Sequence, residues 1–156
     1  MKLLRVGQLG QEKVAVMDSN NKIRDLSSHI VDLNPDTINF NTLEKLKKIK
    51  FETLPEISSN TRIGSCINRP SNILCIGLNY SLHAEQTGSK LPDNPIVFNK
   101  SPDCLQGPND PIKKSKSQEK LDYEVELAVV IGKEANNIDE DKALDYVFGY
   151  FILNDI

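Results

Sequence analysis

The sequence contains no tryptophan, only three cysteines and no long hydrophobic run. Cys66, Cys75 and Cys104 are odd in number and widely spaced. This spacing argues against a disulfide framework and, without a C-x-x-C pair, against a zinc site. No apolar stretch approaches the roughly 20 residues that cross a bilayer, and the N-terminus lacks the apolar region of a signal peptide. These absences predict a soluble, cytoplasmic protein with no membrane partner.

An excess of positive charge is also missing. The chain has 19 Lys and Arg residues against 22 Asp and Glu residues, for a net charge of -3. Nucleic acid is therefore an unfavoured partner, because binding to phosphates requires a basic surface. The 156 residues suffice for one hydrophobic core, with at most a small appended module.

The first 60 residues predict a small N-terminal β module with one helix. Short apolar runs separated by turn residues predict an antiparallel meander with strands at Leu3–Val6, Val14–Met17 and Ile23–Leu26. Apolar residues at helical spacing predict a helix over Asn41–Phe51, with Asn41 or Thr42 as its N-cap. The Ser-, Asn- and Pro-rich stretch Pro55–Pro70 is typical of a linker into a second domain, residues 70–156.

Two short apolar runs in the second domain end in polar residues. Ile73–Gly77 predicts a short buried strand, followed by a Gly turn and a helix that carries His83. Val147–Leu153 predicts a further strand that ends at Asn154 and Asp155.

The stretch Leu121–Gly132 has the composition of a buried strand but contains two carboxylates, Glu124 and Glu126. Side chains alternate along a strand, so both carboxylates share one face with Ala128 and Val130. Two like charges on a buried face require a cation or raised pKa values, and a metal ion meets that requirement. The alternative is an edge strand whose carboxylate face lies in water.

The sequence closes directly after an apolar strand and Asp155. Chain ends are usually polar and frayed. We therefore expect the chain to be a part of a longer protein.

Seven short motifs, in this order and spacing, resemble those of the fumarylacetoacetate hydrolase family. They are Ile76-Gly77-Leu78-Asn79-Tyr80, His83-Ala84-Glu85, Pro95-Ile96-Val97-Phe98-x-Lys100, Gly107-Pro108-x-Asp110, Asp122-Tyr123-Glu124-x-Glu126-Leu127, Val130-Ile131-Gly132-Lys133, and Gly149-Tyr150 to Asn154-Asp155. The opening MKLLRVGQLGQEK resembles the N-terminal module of the bacterial branch labelled ureidoglycolate lyase, which includes hydrolases of 2,4-diketo-3-deoxy sugar acids. The resemblance covers about the first half of a typical member.

The resemblance implies an α+β, mainly β fold, in which mixed strands form a barrel-like roll that is usually homodimeric. It implies Mg²⁺ or Mn²⁺, with Ca²⁺ as a possible substitute, held by Glu124, Glu126 and Asp155. All-oxygen ligation suits such hard cations. The implied reaction is hydrolysis of a C–C bond in a small 2-oxo acid, a 2,4-dioxo acid, through a metal-stabilised enolate.

The same resemblance identifies His83 as the histidine that activates water and Lys100 as a contact for the substrate carboxylate. A solvated Lys100 at a strand end is an equally good interpretation. Many family members place a Glu three residues after the histidine, where this sequence has Gln86. Glu85 is a poor substitute because position i+2 of a helix points away from position i. Since Gln86 cannot take a proton, the departure favours chemistry that needs only the metal and an enolate.

Two alternatives therefore stay open. One is a ureidoglycolate lyase or an oxaloacetate decarboxylase that uses the same metal site. The other belongs to a different class, an inactive truncated fragment.

Overall fold

The computed structural model describes all residues from 1 to 156 and divides them into two compact units. The first unit comprises residues 1–68 and 106–156, and the second comprises residues 69–105. Strands dominate and form three antiparallel sheets, which confirms the predicted mainly β, α+β class. No helix has both the length and the hydrophobicity to span a bilayer.

The N-terminal sheet has four strands, in the order β1 (Lys2–Val6), β2 (Lys13–Met17), β3 (Ile23–Asp25) and β4 (Glu56–Ile57). The three predicted strands are confirmed as an antiparallel meander. The fourth strand lies in the stretch that we predicted as a linker, so that prediction is wrong for these residues. Two residues are too few to show an alternating pattern, and pairing with β3 alone defines this strand.

The core of this module lies on both faces of β2. On one face Val14 and Val16, both fully buried, pack with Leu26, Ile30, Leu33 and Leu46. On the other face Ala15 packs with Val6 and Ile23. A strand covered on both sides loses its alternation of polar and apolar residues, which explains the continuous apolar run in the sequence.

Helix α1 spans Phe40–Leu46, shorter than predicted, and a 3₁₀ turn follows at Phe51–Thr53. Its N-cap is Asn39, whose side-chain oxygen accepts the Thr42 N–H at 3.0 Å. The prediction of Asn41 or Thr42 as the cap was therefore wrong. Asn39 satisfies one of the four amide donors that a helix start leaves without an intrahelical acceptor.

The second unit contains the strands β5 (Ile73–Gly77) and β6 (Ile96–Lys100), paired antiparallel, and helix α2 (Ser81–Gln86) between them in sequence. The predicted strand at Ile73–Gly77 is confirmed, but its burial is not. Leu74 and Ile76 retain 66% and 43% of their surface in solvent.

The remaining strands, β7 (Val125–Ile131) and β8 (Val147–Asn154), form an antiparallel hairpin within the first unit. A 3₁₀ helix at Glu140–Tyr146 occupies the connection, with Asp139 at its N-cap. Strand β7 covers the C-terminal part of the predicted stretch Leu121–Gly132, because residues 121–124 lack strand geometry.

Candidate metal centre

The pairing register of the β7–β8 hairpin places the three predicted carboxylates on one face. Val125 pairs with Asn154 and Glu126 pairs with Leu153. The ladder continues one step further, because the Asp155 N–H donates to the Glu124 carbonyl at 2.8 Å. Directly opposed residues of an antiparallel ladder project to the same side, with Cβ atoms about 5 Å apart. Glu124 and Asp155 are therefore neighbours across the hairpin, and Glu126 follows on the same face.

A side-chain hydrogen bond fixes this end of the hairpin. The Asn154 side-chain oxygen accepts the Glu124 N–H at 3.0 Å. Together with the Asp155 to Glu124 bond, it orders the backbone just beyond the last regular pair. The polar Asn154-Asp155 ending of β8 thus orders the backbone that carries two of the carboxylates.

The carboxylate face is the more covered face of the hairpin. Asp155 is buried, with 8% of its surface exposed, and Glu126 is half-buried, whereas Glu124 is exposed. The opposite face is apolar and open to solvent, with 49–73% exposure at Val125, Leu127, Val129, Ile131, Tyr150 and Ile152. The expectation that Glu124 and Glu126 are both buried was therefore wrong. The predicted alternation of faces along β7 is confirmed.

The side chains themselves are not gathered into a coordination sphere. No group of three His, Cys, Asp or Glu side chains in residues 1–156 is arranged to hold a metal ion. The donor chemistry and the shared face fit a hard divalent cation. The ligand set Glu124, Glu126 and Asp155 thus stays a prediction, supported by the backbone register.

The other predicted site residues lie in the second unit. His83 and Gln86 are on α2 and both are exposed. They are three residues apart on a helix, so their side chains share a face. Lys100 is the last residue of β6 and is half-buried. The structure thus groups the carboxylates in one unit and His83, Gln86 and Lys100 in the other.

Sequence reasoning missed a network of ion pairs within the first unit. Arg62 binds both carboxylate oxygens of Asp110, with a distance of 2.7 Å from Nε to Oδ1. Arg62 also donates to Glu12 at 2.8 Å, and Glu12 lies 3.5 Å from Arg5. Arg5 in turn pairs with Asp32 at 2.6 Å. Asp110 is thus a half-buried member of the network, with 19% of its side chain exposed.

The network lowers the pKa values of its carboxyl groups. For Asp110, the hydrogen bonds from Arg62 outweigh burial and hold the pKa below its usual value. For Glu12, burial would raise the pKa, but the hydrogen bond from Arg62 and the charges of Arg5 and Arg62 lower it. All these groups are therefore charged at neutral pH. The only local sequence signal for the position of Asp110 in this network is Gly107, three residues earlier. The Asp110 side chain accepts the Gly107 N–H at 2.9 Å, which closes a turn between the two residues.

Comparison with known proteins places this geometry in a family. Residues 72–156, more than half of the chain, match the family profile described as "Fumarylacetoacetate (FAA) hydrolase C-terminal". A relative from Burkholderia ambifaria, which carries only the provisional name of a hydrolase, is 47% identical over all 156 residues. The match covers 100% of this chain and 55% of the relative. The chain thus spans about half the length of the curated relatives it matches.

Solved structures show the same fold. The fumarylacetoacetate hydrolase of Exiguobacterium antarcticum superposes with a TM-score of 0.76 at 27% identity, over 99% of this chain and 55% of that one. The maleylpyruvate hydrolase of Sphingobium sp. SYK-6, solved with manganese(II) and pyruvate, gives a TM-score of 0.79 at 23% identity, over 99% and 58%. The profile match over the segment that holds both the hairpin and His83 shows that the chain belongs to the fumarylacetoacetate hydrolase family.

Proposed function

We propose that this chain supplies the metal-binding carboxylates of a divalent-metal-dependent hydrolase that cleaves a C–C bond in a 2,4-dioxo acid, of the acylpyruvate or diketo-deoxy sugar acid type. The observation that carries the proposal is the β7–β8 register, which sets Glu124, Glu126 and Asp155 on one face. Family membership supports the hydrolase class. The pyruvate and manganese bound by the Sphingobium enzyme support a 2-oxo acid and a divalent ion.

The proposed ligands are Glu124, Glu126 and Asp155, and the proposed ion is Mg²⁺ or Mn²⁺. When bound, such an ion would act as a Lewis acid that stabilises the enolate left by C–C cleavage. Asp155 is anchored by its backbone to Glu124, so the two ligands move as one piece of the hairpin. Three carboxylates carry enough negative charge to offset the two positive charges of the ion.

His83, Gln86 and Lys100 complete the proposal. A neutral His83 imidazole nitrogen would accept the proton of the attacking water, and Gln86, on the same face of α2, would orient that water or the ring. Lys100 would bind the substrate carboxylate through its ammonium group. A homodimer, which the family resemblance implies, is part of the same proposal.

The lyase or decarboxylase alternative has one specific observation in its favour. Position 86 is Gln, so the acid that would assist water attack three residues after His83 is absent. Cleavage that needs only a metal-stabilised enolate, as in a ureidoglycolate lyase or an oxaloacetate decarboxylase, does not require that acid.

Metal titration tests the ligand set. Addition of millimolar Mn²⁺ or Mg²⁺ should raise the melting temperature, because a ligand that binds only the folded state stabilises it, by about 2.7 kcal/mol at 100 times Kd. Glu126→Gln should abolish the shift. Glu119→Gln, which changes an exposed carboxylate outside the hairpin, should preserve it. No shift in the unaltered chain would favour the inactive fragment.

Activity assays separate the two enzyme classes. Acylpyruvate hydrolysis and oxaloacetate decarboxylation are measured side by side, with Gln86→Glu as the test variant and Glu85→Gln as its neighbour control. A hydrolase limited by the missing acid should gain hydrolytic rate in Gln86→Glu only. Decarboxylation without hydrolysis, unchanged by either variant, would replace the hydrolase proposal with the alternative.

A further inference from the structure

Residues 1–68, the N-terminal β module together with the segment that follows it, lie outside the matched family segment but share a compact unit with residues 106–156. We infer that this module positions the β7–β8 carboxylate hairpin, and that Arg62 and Asp110 are the positioning residues that join the two. The inference rests on the proposed function only for its effect on metal binding. The mechanical coupling depends only on contacts within the first unit.

The first attachment is the ion pair between the module and the loop that leads to β7. Arg62 holds Asp110 through two parallel hydrogen bonds, a geometry that fixes orientation as well as distance. The same guanidinium donates to Glu12 at 2.8 Å and to the Gly7 carbonyl at 3.1 Å. Its four acceptors therefore come from the module and from the loop together.

Close backbone contact accompanies this ion pair. Residues 62–64 extend the edge of β1, because Gly7 donates to the Arg62 carbonyl at 2.9 Å and Gly64 donates to the Arg5 carbonyl at 2.8 Å. Gly107 lies directly against this segment. A Cβ atom at Gly107 would be 2.3 Å from the Ile63 carbonyl oxygen. Only glycine lets the loop approach this near, so the loop is seated on the module.

The second attachment lies at the far end of β7. The Gly132 N–H donates to the Tyr146 carbonyl at 2.8 Å, and a Cβ atom there would be 3.3 Å from the ring of Phe40, the first residue of α1. The Lys133 ammonium lies 4.0 Å from the centre of the Tyr146 ring and 5.7 Å from that of Phe40. Cation–π attraction of the Lys133 ammonium to the two rings stabilises this junction.

The segment that carries Glu124 and Glu126 is thus held to the module at both ends, at residues 107–110 and at residues 132–133. Between Asp110 and β7, residues 111–124 form no helix or strand and are exposed. This stretch has few contacts of its own to order it. If Asp110 were released from Arg62, the segment without regular structure would begin earlier than residue 111. Ordering of the hairpin end that carries the carboxylates would then cost more conformational entropy.

Amide hydrogen exchange on the full chain tests the coupling without any metal. In Asp110→Asn, we expect at least about tenfold faster exchange at the Asp155 N–H, which donates to the Glu124 carbonyl. Loss of a hydrogen bond to a charged group changes an equilibrium constant by roughly that factor. Protection at Val14, Ala15 and Val16 in β2 should fall by a clearly smaller factor, because these core amides exchange only when the whole unit unfolds. Glu119→Gln, an exposed acid in the same loop, is the matched control.

Two results would overturn the inference. One is unchanged exchange at Asp155 in Asp110→Asn. The other is a loss of protection spread equally over β2 and the hairpin, which would indicate a purely global contribution to stability. If Asp110→Asn does not fold, Arg62→Lys decides by the same criteria, because it keeps the charge and removes the two-pronged geometry.

A second readout connects the coupling to function. Mn²⁺ binding is measured by the loss of the free-ion EPR signal. The affinity should fall about tenfold in Asp110→Asn, which loses a charge-assisted hydrogen bond, and by a smaller factor in Arg62→Lys, which loses part of one. Equal Mn²⁺ affinity in all variants would show that the module does not position the ligands. If the unaltered chain binds no Mn²⁺, the proposed function fails, and hydrogen exchange alone still decides the coupling.

Discussion

The N-terminal sheet and the β7–β8 hairpin are both antiparallel and both rich in Val, Leu and Ile. The two regions differ in how deeply these side chains are buried. In the sheet, Val14, Ala15 and Val16 are fully buried. In the hairpin, Leu127 and Val129 on the apolar face are 59% and 49% exposed, and the carboxylate face is the covered one. The composition of a strand thus determines its extended conformation, whereas the neighbouring elements determine which face is buried. A two-stranded hairpin alone is marginally stable in water, so the stability of this unit resides in the module.

Truncation of one leucine in each region should produce the largest contrast. Leu26, fully buried in the module, packs with Val14 and Leu46. Leu26→Ala should lower the free energy of unfolding by about 2–5 kcal/mol, since the lost transfer energy and the cavity add. Leu127→Ala should change it by about 0.5 kcal/mol or less, because much of that side chain is already in water.

Urea unfolding followed by far-UV circular dichroism measures both values. The two leucines differ in burial and not in chemistry, so each is the control of the other. Comparable losses in the two variants would contradict the contrast and would mean that Leu127 is buried in solution.

A single methyl group at position 107 should disrupt the contact between residues 63–64 and the loop that leads to β7. Gly107→Ala should cost about 1–3 kcal/mol of stability, because its Cβ would meet the Ile63 carbonyl oxygen at 2.3 Å and the Gly64 Cα at 3.1 Å. Gly149→Ala, in β8 with no atom within 4 Å of its new Cβ, is the matched control and should be neutral or slightly stabilising. Thermal melts of both variants measure the difference, and equal melting temperatures would show that the loop does not rest on residues 63–64.

The sequence predicted well the structural features that depend on local pattern. Alternation along β7 located Glu124 and Glu126 on one face, and the register now adds Asp155 to it. Motif order alone identified the family. Both signals depend on residues that are near one another in the chain or on a pattern shared with relatives.

What the sequence did not predict depends on distant partners. Arg62 and Asp110 are 48 residues apart, and Gly107, the local signal near Asp110, does not identify Arg62 as the partner. Burial of the hairpin was predicted wrongly because hydrophobic composition cannot show which elements cover a face. The gathering of the carboxylates around an ion stays a prediction for a related reason, since the register fixes backbones and leaves side-chain rotamers open.

Acid should destabilise the first unit through the carboxylates of the Arg5–Arg62 ion-pair network, of which Asp110 lies in the loop that leads to β7. The pKa values of Glu12, Asp32 and Asp110 are all lowered in the folded chain. Each group therefore contributes stability that is complete above its unfolded pKa, about 4, and is lost as the pH falls toward its folded pKa. The melting temperature should fall between pH 5 and pH 3, and less steeply in Asp110→Asn than in the unaltered chain. Parallel pH profiles for the two proteins would contradict a contribution from Asp110.

The smallest effect concerns the start of α1, where sequence and structure assign different caps. Asn39→Ala should lower the free energy of unfolding by about 1 kcal/mol, because the Thr42 N–H loses its side-chain acceptor. Asn41→Ala, at the exposed position that the sequence pattern favours as the cap, should be nearly neutral because Ala is the better helix former. Urea unfolding of this pair decides between the two caps. A larger loss in Asn41→Ala would restore the sequence-based assignment and would move the start of the helix away from Phe40, whose ring contacts the end of β7.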